Sequence, residues 1–227
     1  MSAANPTGVP AWHQYRTQLE AYGKAKVNYD LERVHEYTSE TGWQLDDYGT
    51  DLPAEPPGPP VAGGSFEAAK QVLLNYSFPP PDLITGIFVP EQPLAERVML
   101  LRGQFLGFTF WFGVRIGGVI DEQRTPSPDD GPEQVWGYNY RTLEGHFEKG
   151  EITFTVHKQL RTGRVRFQVK AYSQPDRIQN FFYRIGFKLF GRMLQRKFAR
   201  ESMRRMREQV IAQLRQGASE TAVVRTL

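Results

Sequence analysis

The chain has 227 residues, 40% of them hydrophobic and 13% aromatic, no cysteine, and a formal net charge of +3. That length suits one domain with an appendage or two small domains, and the apolar share is enough for a proper core. The lack of cysteine excludes a disulfide scaffold, a thiolate metal site and a cysteine nucleophile, and it fits a reducing, cytoplasmic setting.

Residues 1–10 are small and polar and carry no apolar signal core. Residues 11–37 are polar with scattered aromatics and suggest a helix over about 15–25. The stretch 51–60 holds five prolines. Proline fixes φ and removes a backbone donor, so neither helix nor central strand is expected there, and 1–62 reads as an N-terminal extension with a Pro-rich, extended or mobile linker. Ser65 reads as the N-cap of a helix that ends before Pro79-Pro80-Pro81. From Leu83 the apolar period drops to two, giving strand candidates at 85–89, 96–102, 105–121, 134–143, 151–160 and 164–173. In the third of these, Phe108, Phe110, Phe112, Val114 and Ile116 share one face; in the last, Val165, Phe167, Val169 and Ala171 alternate with Arg164, Arg166, Gln168 and Lys170. Such alternation marks an antiparallel sheet with one wet face.

Pro175 and Asp176 open a final helix to about Arg215, ~60 Å long if unbroken. Its first half is apolar on two stripes, so two surfaces must cover it. Residues 217–227 read as a disordered tail. The order predicts an α+β fold: a curved antiparallel sheet of six or seven strands wrapped around a long C-terminal helix, over residues 63–216. Small-molecule sites favour cavities of that kind.

Residues 137–154 read GYNYRTLEGHFEKGEITF. They resemble the signature Y-G-T-L-x-G-H-x-E-x-G-E-E-x-F of the family called domain of unknown function 1990, matching at Tyr140, Thr142, Leu143, Gly145, His146, Glu148, Gly150, Glu151 and Phe154. Ala171–Pro175 resembles its A-F-S-R-P element, Leu194-Gln195-Arg196-Lys197 its L-Q-R-R, and Gly64–Ala69 its opening helix. Arg141 replaces a family glycine, Gln174 an arginine, and Ile152 a glutamate. The resemblance implies a helix-grip fold like that of START and Bet v 1 proteins, which hold lipids and other apolar molecules between sheet and helix. It implies no established activity.

Three functions compete. The first is binding of a small apolar or lipid-like ligand, with Trp136, Tyr138, Tyr140, Thr142, Phe110 and Phe182 as the wall. The second is a hydrolase- or cyclase-type enzyme in the same cavity, with His146 as acid or base beside Glu148 and Glu151. The third is contact with an anionic membrane surface through Arg192, Arg196, Lys197, Arg200 and Arg204. Residues 176–215 hold 11 Lys+Arg against 3 Asp+Glu, net +8, which leaves −5 for the rest of the chain. A solvated helix face accounts for that charge most simply, and no nucleic-acid-binding signature accompanies it. No cofactor and no metal site are expected: the four histidines are scattered and show no H-E-x-x-H spacing.

Overall fold

A computed structural model describes residues 11–224 except 106, 128, 130 and 177–180; the side chains of 11, 105, 181–192, 194 and 218–224 also lie outside the described set. Along the described chain come α1 (Arg16–Lys24), β1 (Gln44–Leu52), α2 (Ser65–Leu74), β2 (Ile84–Ile87), β3 (Val98–Phe105), β4 (Phe108–Arg124), β5 (Glu133–Thr142), β6 (Glu148–Gln159), β7 (Val165–Pro175) and α3 (Phe181–Val224). The strands form one curved antiparallel sheet in the order β1-β7-β6-β5-β4-β3-β2. Strands β2 to β7 are a meander in which each strand pairs with the next. Its inner face takes α2 and α3, a helix-grip arrangement.

The alternation read from the sequence decides which side chains meet. Met99 and Leu101 of β3, Phe112, Val114 and Ile116 of β4, Trp136 and Tyr138 of β5, Phe154 and Val156 of β6, and Phe167 and Val169 of β7 all turn inward. They close on Phe66, Ala69, Val72 and Leu73 of α2 and on Met206 and Val210 of α3. Period-two strands facing a helical stripe of period 3.6 bury one continuous core.

The stretch expected to be an extension and linker is part of this domain, and no boundary falls at residue 62. β1 pairs with β7 from Gln44↔Ser173 to Leu52↔Val165 and forms one edge of the sheet. Before it, residues 11–43 run as a strap across the outer face. Leu19 of α1 joins Leu100 and Ile87 in a second, smaller core. Gly113 makes room there, because a Cβ at that position would collide with the Tyr22 ring. The Arg115 Nη2 sits on the carbonyls of Tyr22, Gly23 and Ala25 at 3.2, 2.8 and 2.9 Å, closing the C-terminal end of α1. Around Gly113 and Arg115 the outer face of β4 is therefore covered by α1, while Thr109 and Trp111 on the same face stay exposed. The next part of the strap stacks Tyr37 on Trp43 at 3.7 Å and sets both beside Tyr29 and Tyr172.

The Pro-rich stretch is extended but anchored. Glu55 N–H donates to the Gly163 carbonyl at 2.9 Å, and Gly58 N–H to Leu160 at 2.7 Å. The Glu55 carboxylate lies 2.6 Å from Lys158 Nζ, and both side chains are almost fully shut from solvent. Its Oε1 accepts the Phe66 N–H at 2.7 Å. A buried carboxylate, rather than the predicted Ser65 side chain, thus satisfies the first turn of α2, where the helix dipole favours negative charge. At the other end of the chain, α3 remains helical to Val224, through most of the predicted tail.

Candidate ligand site on the inner face of the sheet

The turn from β5 to β6 carries the three residues singled out as an acid–base set. The His146 ring is buried, edge-on to Phe112 at 4.6 Å and stacked on Phe147 at 4.7 Å. Its Nδ1 accepts the Glu148 N–H at 2.9 Å, which places the proton of the neutral ring on Nε2. Burial pushes its pKa down to about 3, against weaker opposing effects of the Glu148 backbone and of Asp176. His146 is therefore a neutral ring that ties down the turn. Glu148 and Glu151 are three apart on one strand, so they point to opposite faces. Glu151 is on the outer face, paired with Arg141 at 2.9 Å and reached by the Tyr29 hydroxyl at 3.3 Å. Glu148 turns inward. The three residues do not converge.

Cross-strand register sets the surroundings of Glu148. Rows of inward side chains run across β5, β6, β7 and β1. The row Trp136–Val156–Phe167–Thr50 is followed by Tyr138–Phe154–Val169–Tyr48, then Tyr140–Ile152–Ala171–Asp46, then Thr142–Gly150–Ser173–Gln44, with Glu148 beyond. In the first two rows the side chains from β5, β6 and β7 are sealed. In the third row Ile152 and Ala171 stay partly accessible, as do Ser173, Gln44, Asp46 and Glu148. The sheet interior is thus close-packed at one end and open at the other.

The open end is lined by polar groups. Gln195 of α3 donates from Nε2 to Glu148 Oε1 at 2.6 Å and accepts at Oε1 from Gln44 Nε2 at 2.6 Å. Gln44 Nε2 also donates to Asp46 Oδ2 at 2.8 Å, and the Tyr48 hydroxyl donates to Asp46 Oδ1 at 2.8 Å. Burial pushes the Glu148 carboxyl up to about 7; the Gln195 hydrogen bond opposes the rise and the Asp46 charge adds to it. The Tyr76 hydroxyl is buried and has the Tyr140 hydroxyl as its hydrogen-bonding neighbour. The Tyr140 hydroxyl lies near enough to act on it electrostatically, and Glu148 in turn acts on Tyr140, whose pKa burial raises to about 12.

The expected ligand wall divides along the same line. Trp136 and Tyr138 belong to the sealed rows, and the Tyr138 hydroxyl is committed to the Leu73 carbonyl at 2.9 Å. The Thr142 hydroxyl accepts the Gly150 N–H at 2.9 Å and donates to Asn28 Oδ1 at 2.5 Å. Gly150 has φ +147, and a Cβ there would collide with the Tyr172 carbonyl, so glycine is required for this approach. Phe110 is half-buried at the edge of the core. Tyr140 is the wall residue at the boundary of the open end. The Phe182 side chain lies outside the described residues, as does that of Arg192.

The remaining basic residues are largely paired within the chain. Lys197 lies 3.2 Å from Asp82, Arg200 3.6 Å from Glu201, and Arg204 2.7 Å from Glu201 and 2.8 Å from Glu208. Arg196 is exposed. Among the described residues no helix is long and apolar enough to cross a membrane, and no group of three or more His, Asp or Glu side chains can hold a metal ion. An open surface depression lies beside the β5–β6 turn, lined by Val27, Asn28, Tyr29, Asp30, Glu144, Gly145 and Asp176.

The family profile named "Domain of unknown function (DUF1990)" matches residues 29–205. The chain belongs to the DUF1990 family. Among solved structures it is similar to Ara h 8.0201, with 9% identity, a TM-score of 0.41, and coverage of 75% of this chain and 99% of that one. It is also similar to ginseng major latex-like protein 151 from Panax ginseng, with 10% identity, a TM-score of 0.38, and coverage of 73% and 96%. No curated protein matches the chain significantly. The DUF1990 match begins at Tyr29 and so takes in the aromatic part of the strap and β1, which sequence reasoning placed outside the domain. It also spans Glu148 and Gln195, which sit in separate motif elements and meet in the fold. The signal for Gln195 was present: with Ala199, Ser202, Met206 and Val210 it lies on the buried stripe of α3, where an amide is out of place unless bonded.

His146→Asn tests the structural role of the turn histidine. Asn can accept the Glu148 N–H, so the expected cost at pH 7 is about 1 kcal/mol, one net hydrogen bond. The unfolded histidine takes up a proton near pH 6.5 that the folded ring refuses down to about 3, so wild-type stability falls as pH drops through that window. Urea unfolding at pH 7 and pH 5 is expected to show the gap between wild type and variant shrinking or reversing at the lower pH. A gap independent of pH would contradict a neutral, buried His146.

Proposed function

We propose that the chain binds a small molecule with an apolar body and a hydrogen-bonding end, held between the open end of the inner face and α3. The observation that carries this reading is the accessibility of Ile152 and Ala171. Both sit in mid-sheet on the face that takes the helices, where an apolar side chain in a close-packed interior has no accessible surface left. Aliphatic and aromatic groups (Ile152, Tyr140) line one side, and a few convergent polar groups (Glu148, Gln195, Asp46) the other, a composition typical of small-molecule sites. The helix-grip arrangement offers the same place.

Catalysis by His146 finds no support in this geometry, because its Nδ1 is engaged by the backbone and its ring is wedged between Phe112 and Phe147. The anionic-membrane reading ranks lower because Lys197, Arg200 and Arg204 spend their charge on acidic neighbours. The direct test is native mass spectrometry of the purified protein together with titration of the apolar fluorophore ANS. A retained small molecule, or a saturable ANS site, is expected in the wild type. Ile152→Trp, which fills the open end from its floor, is expected to lose it while keeping the circular dichroism spectrum and cooperative unfolding. Unchanged binding in a folded Ile152→Trp would refute the placement.

A further inference from the structure

We infer that the tip of the β3–β4 ribbon docks on a phospholipid bilayer, with Phe108 entering the acyl layer and Trp111 and Arg102 stopping at the headgroups. This surface is separate from the ligand site and from the basic stretch of α3, where Lys197, Arg200 and Arg204 are paired. β4 pairs with β5 only from Val114 onward, yet it pairs with β3 out to Phe105↔Phe108. Residues 108–113 thus run past the end of β5 as a ribbon, roughly 20 Å long at the usual rise per residue. Its base is braced where Phe112 meets the His146 and Phe147 rings at 4.6 and 5.1 Å.

The tip has no such cover. Phe108 is 58% exposed and Trp111 40%. Gln104, Gly107 and Thr109 are exposed beside them, and a Cβ built on Gly107 would meet nothing within 4 Å. A single exposed aromatic is ordinary, but this is a run: residues 104–114 hold five aromatic side chains and no charged one. An apolar surface of that kind marks a contact with a protein or a membrane.

Shape and charge choose the membrane. A projecting tip offers no groove or flat face for a partner chain, whereas a bilayer needs no matching shape. Trp111 follows Phe108 by three residues, about 10 Å along the strand. Tryptophan favours the headgroup level, and interfacial elements bury their apolar groups about 5–10 Å beyond it. Arg102 is the register partner of Trp111 and so lies at the same depth. Its side chain is partly accessible, its Nε has no hydrogen-bond partner, and among the described residues no acidic group pairs with it. A guanidinium at that level complements lipid phosphate. Apolar tip, then aromatic and cation together, is the order of layers that a bilayer presents. Docking there turns the open end of the inner face toward the membrane, because Phe112 at the base of the ribbon touches the β5–β6 turn.

Flotation of the full-length protein with neutral phosphatidylcholine vesicles, at low and at high salt, tests this. The wild type is expected to float at both, because apolar insertion is not screened. Phe108→Glu is expected to bind roughly tenfold more weakly, the scale of one large apolar side chain withdrawn from the acyl layer. Its circular dichroism spectrum and unfolding are expected to stay those of the wild type, since the side chain is exposed. Thr109→Glu charges the neighbouring exposed position and is expected to act likewise, which keeps the test open if Phe108→Glu misfolds. Lipids brominated near the top of the acyl chain are expected to quench tryptophan emission in the wild type and not in Trp111→Phe. No flotation on neutral vesicles, flotation abolished by salt, undiminished binding in a folded Phe108→Glu or Thr109→Glu, or quenching that survives Trp111→Phe overturns the inference. A wild type that forms dimers in place of floating, and loses them in Phe108→Glu, overturns it in favour of a second copy of the chain. None of these readouts uses the ligand site, so their failure leaves the binding reading standing.

Discussion

Lys158→Met is expected to lower the free energy of unfolding by about 3–5 kcal/mol, the usual cost of leaving one member of a buried ion pair uncompensated. Lys158 is on the inner face of β6 and is entirely shut from solvent. It donates to Glu55 at 2.6 Å and to the Pro59 carbonyl at 2.7 Å. Glu55 in turn caps α2 through the Phe66 N–H. With lysine gone, the carboxylate must stay charged in an apolar setting or take up a proton, and the 53–60 stretch loses its tie to β6. The double variant Glu55→Gln/Lys158→Met removes the orphaned charge and retains an acceptor for Phe66, so it is expected to recover much of the loss. Urea unfolding of wild type, both single variants and the double variant gives the coupling directly. Additive losses would mean that the pair does not act as a unit.

Glu148→Gln is expected to stabilise the protein, by up to about 3 kcal/mol at pH 8, at roughly 1.4 kcal/mol per unit of pKa shift. The sign follows from the raised pKa. The folded carboxyl holds its proton up to about 7, whereas the unfolded one releases it near 4.5. Between those values the folded state binds more protons, so wild-type stability falls as pH rises through the window, and above pH 7 the full cost of a buried, charged Glu148 is present. Glutamine never carries that charge and can still accept from Gln195. Its advantage should therefore fade as pH falls toward 4 and vanish below it. Chemical unfolding at pH 4, 6 and 8 checks this. A variant less stable than wild type at pH 8 would show that Glu148 is compensated there by a group that its measured partners do not reveal. A residue whose removal stabilises the fold is one that the fold does not require for itself, as expected when function holds a strained group in place.

The meander was legible because its strands alternate cleanly and its turns carry glycine. Val165, Phe167 and Val169 against Arg166, Gln168 and Lys170 leave one solution for β7. β1 was not legible for the converse reason. Gln44, Asp46, Tyr48 and Thr50 face inward while Leu45 is 55% exposed, so the apolar pattern is nearly inverted. A strand whose inward side chains are polar looks like loop to any rule built on apolar cores. The Pro-rich stretch misled in a related way: proline forbids regular structure but not docking, and Glu55 docks it. Of the candidate site, Glu148 and Tyr140 were visible as motif residues, yet their neighbours Gln44 and Asp46, Tyr76, and Gln195 lie on three other segments. Only the register of β1 on β7 and the path of α3 bring them together. Glu151 was grouped with His146 by proximity in sequence, although strand alternation sends it to the other face.

The sheet order also carries a kinetic consequence. β2 to β7 pair strictly with their chain neighbours, so each ladder closes a short loop and can form early. β1 is different: it completes the sheet at β7 across more than a hundred residues, as do the contacts of Asn28 with Thr142, Glu148 and Asp176. Long-range closures of this kind bring their reward only after the meander exists to receive them. Gln44 and Asp46 travel with β1, so the polar half of the site is assembled by the first-made part of the chain arriving last. During synthesis that segment must wait beside the ribosome until β7 has emerged, and until then the inner face has its apolar floor but lacks the polar wall that β1 supplies.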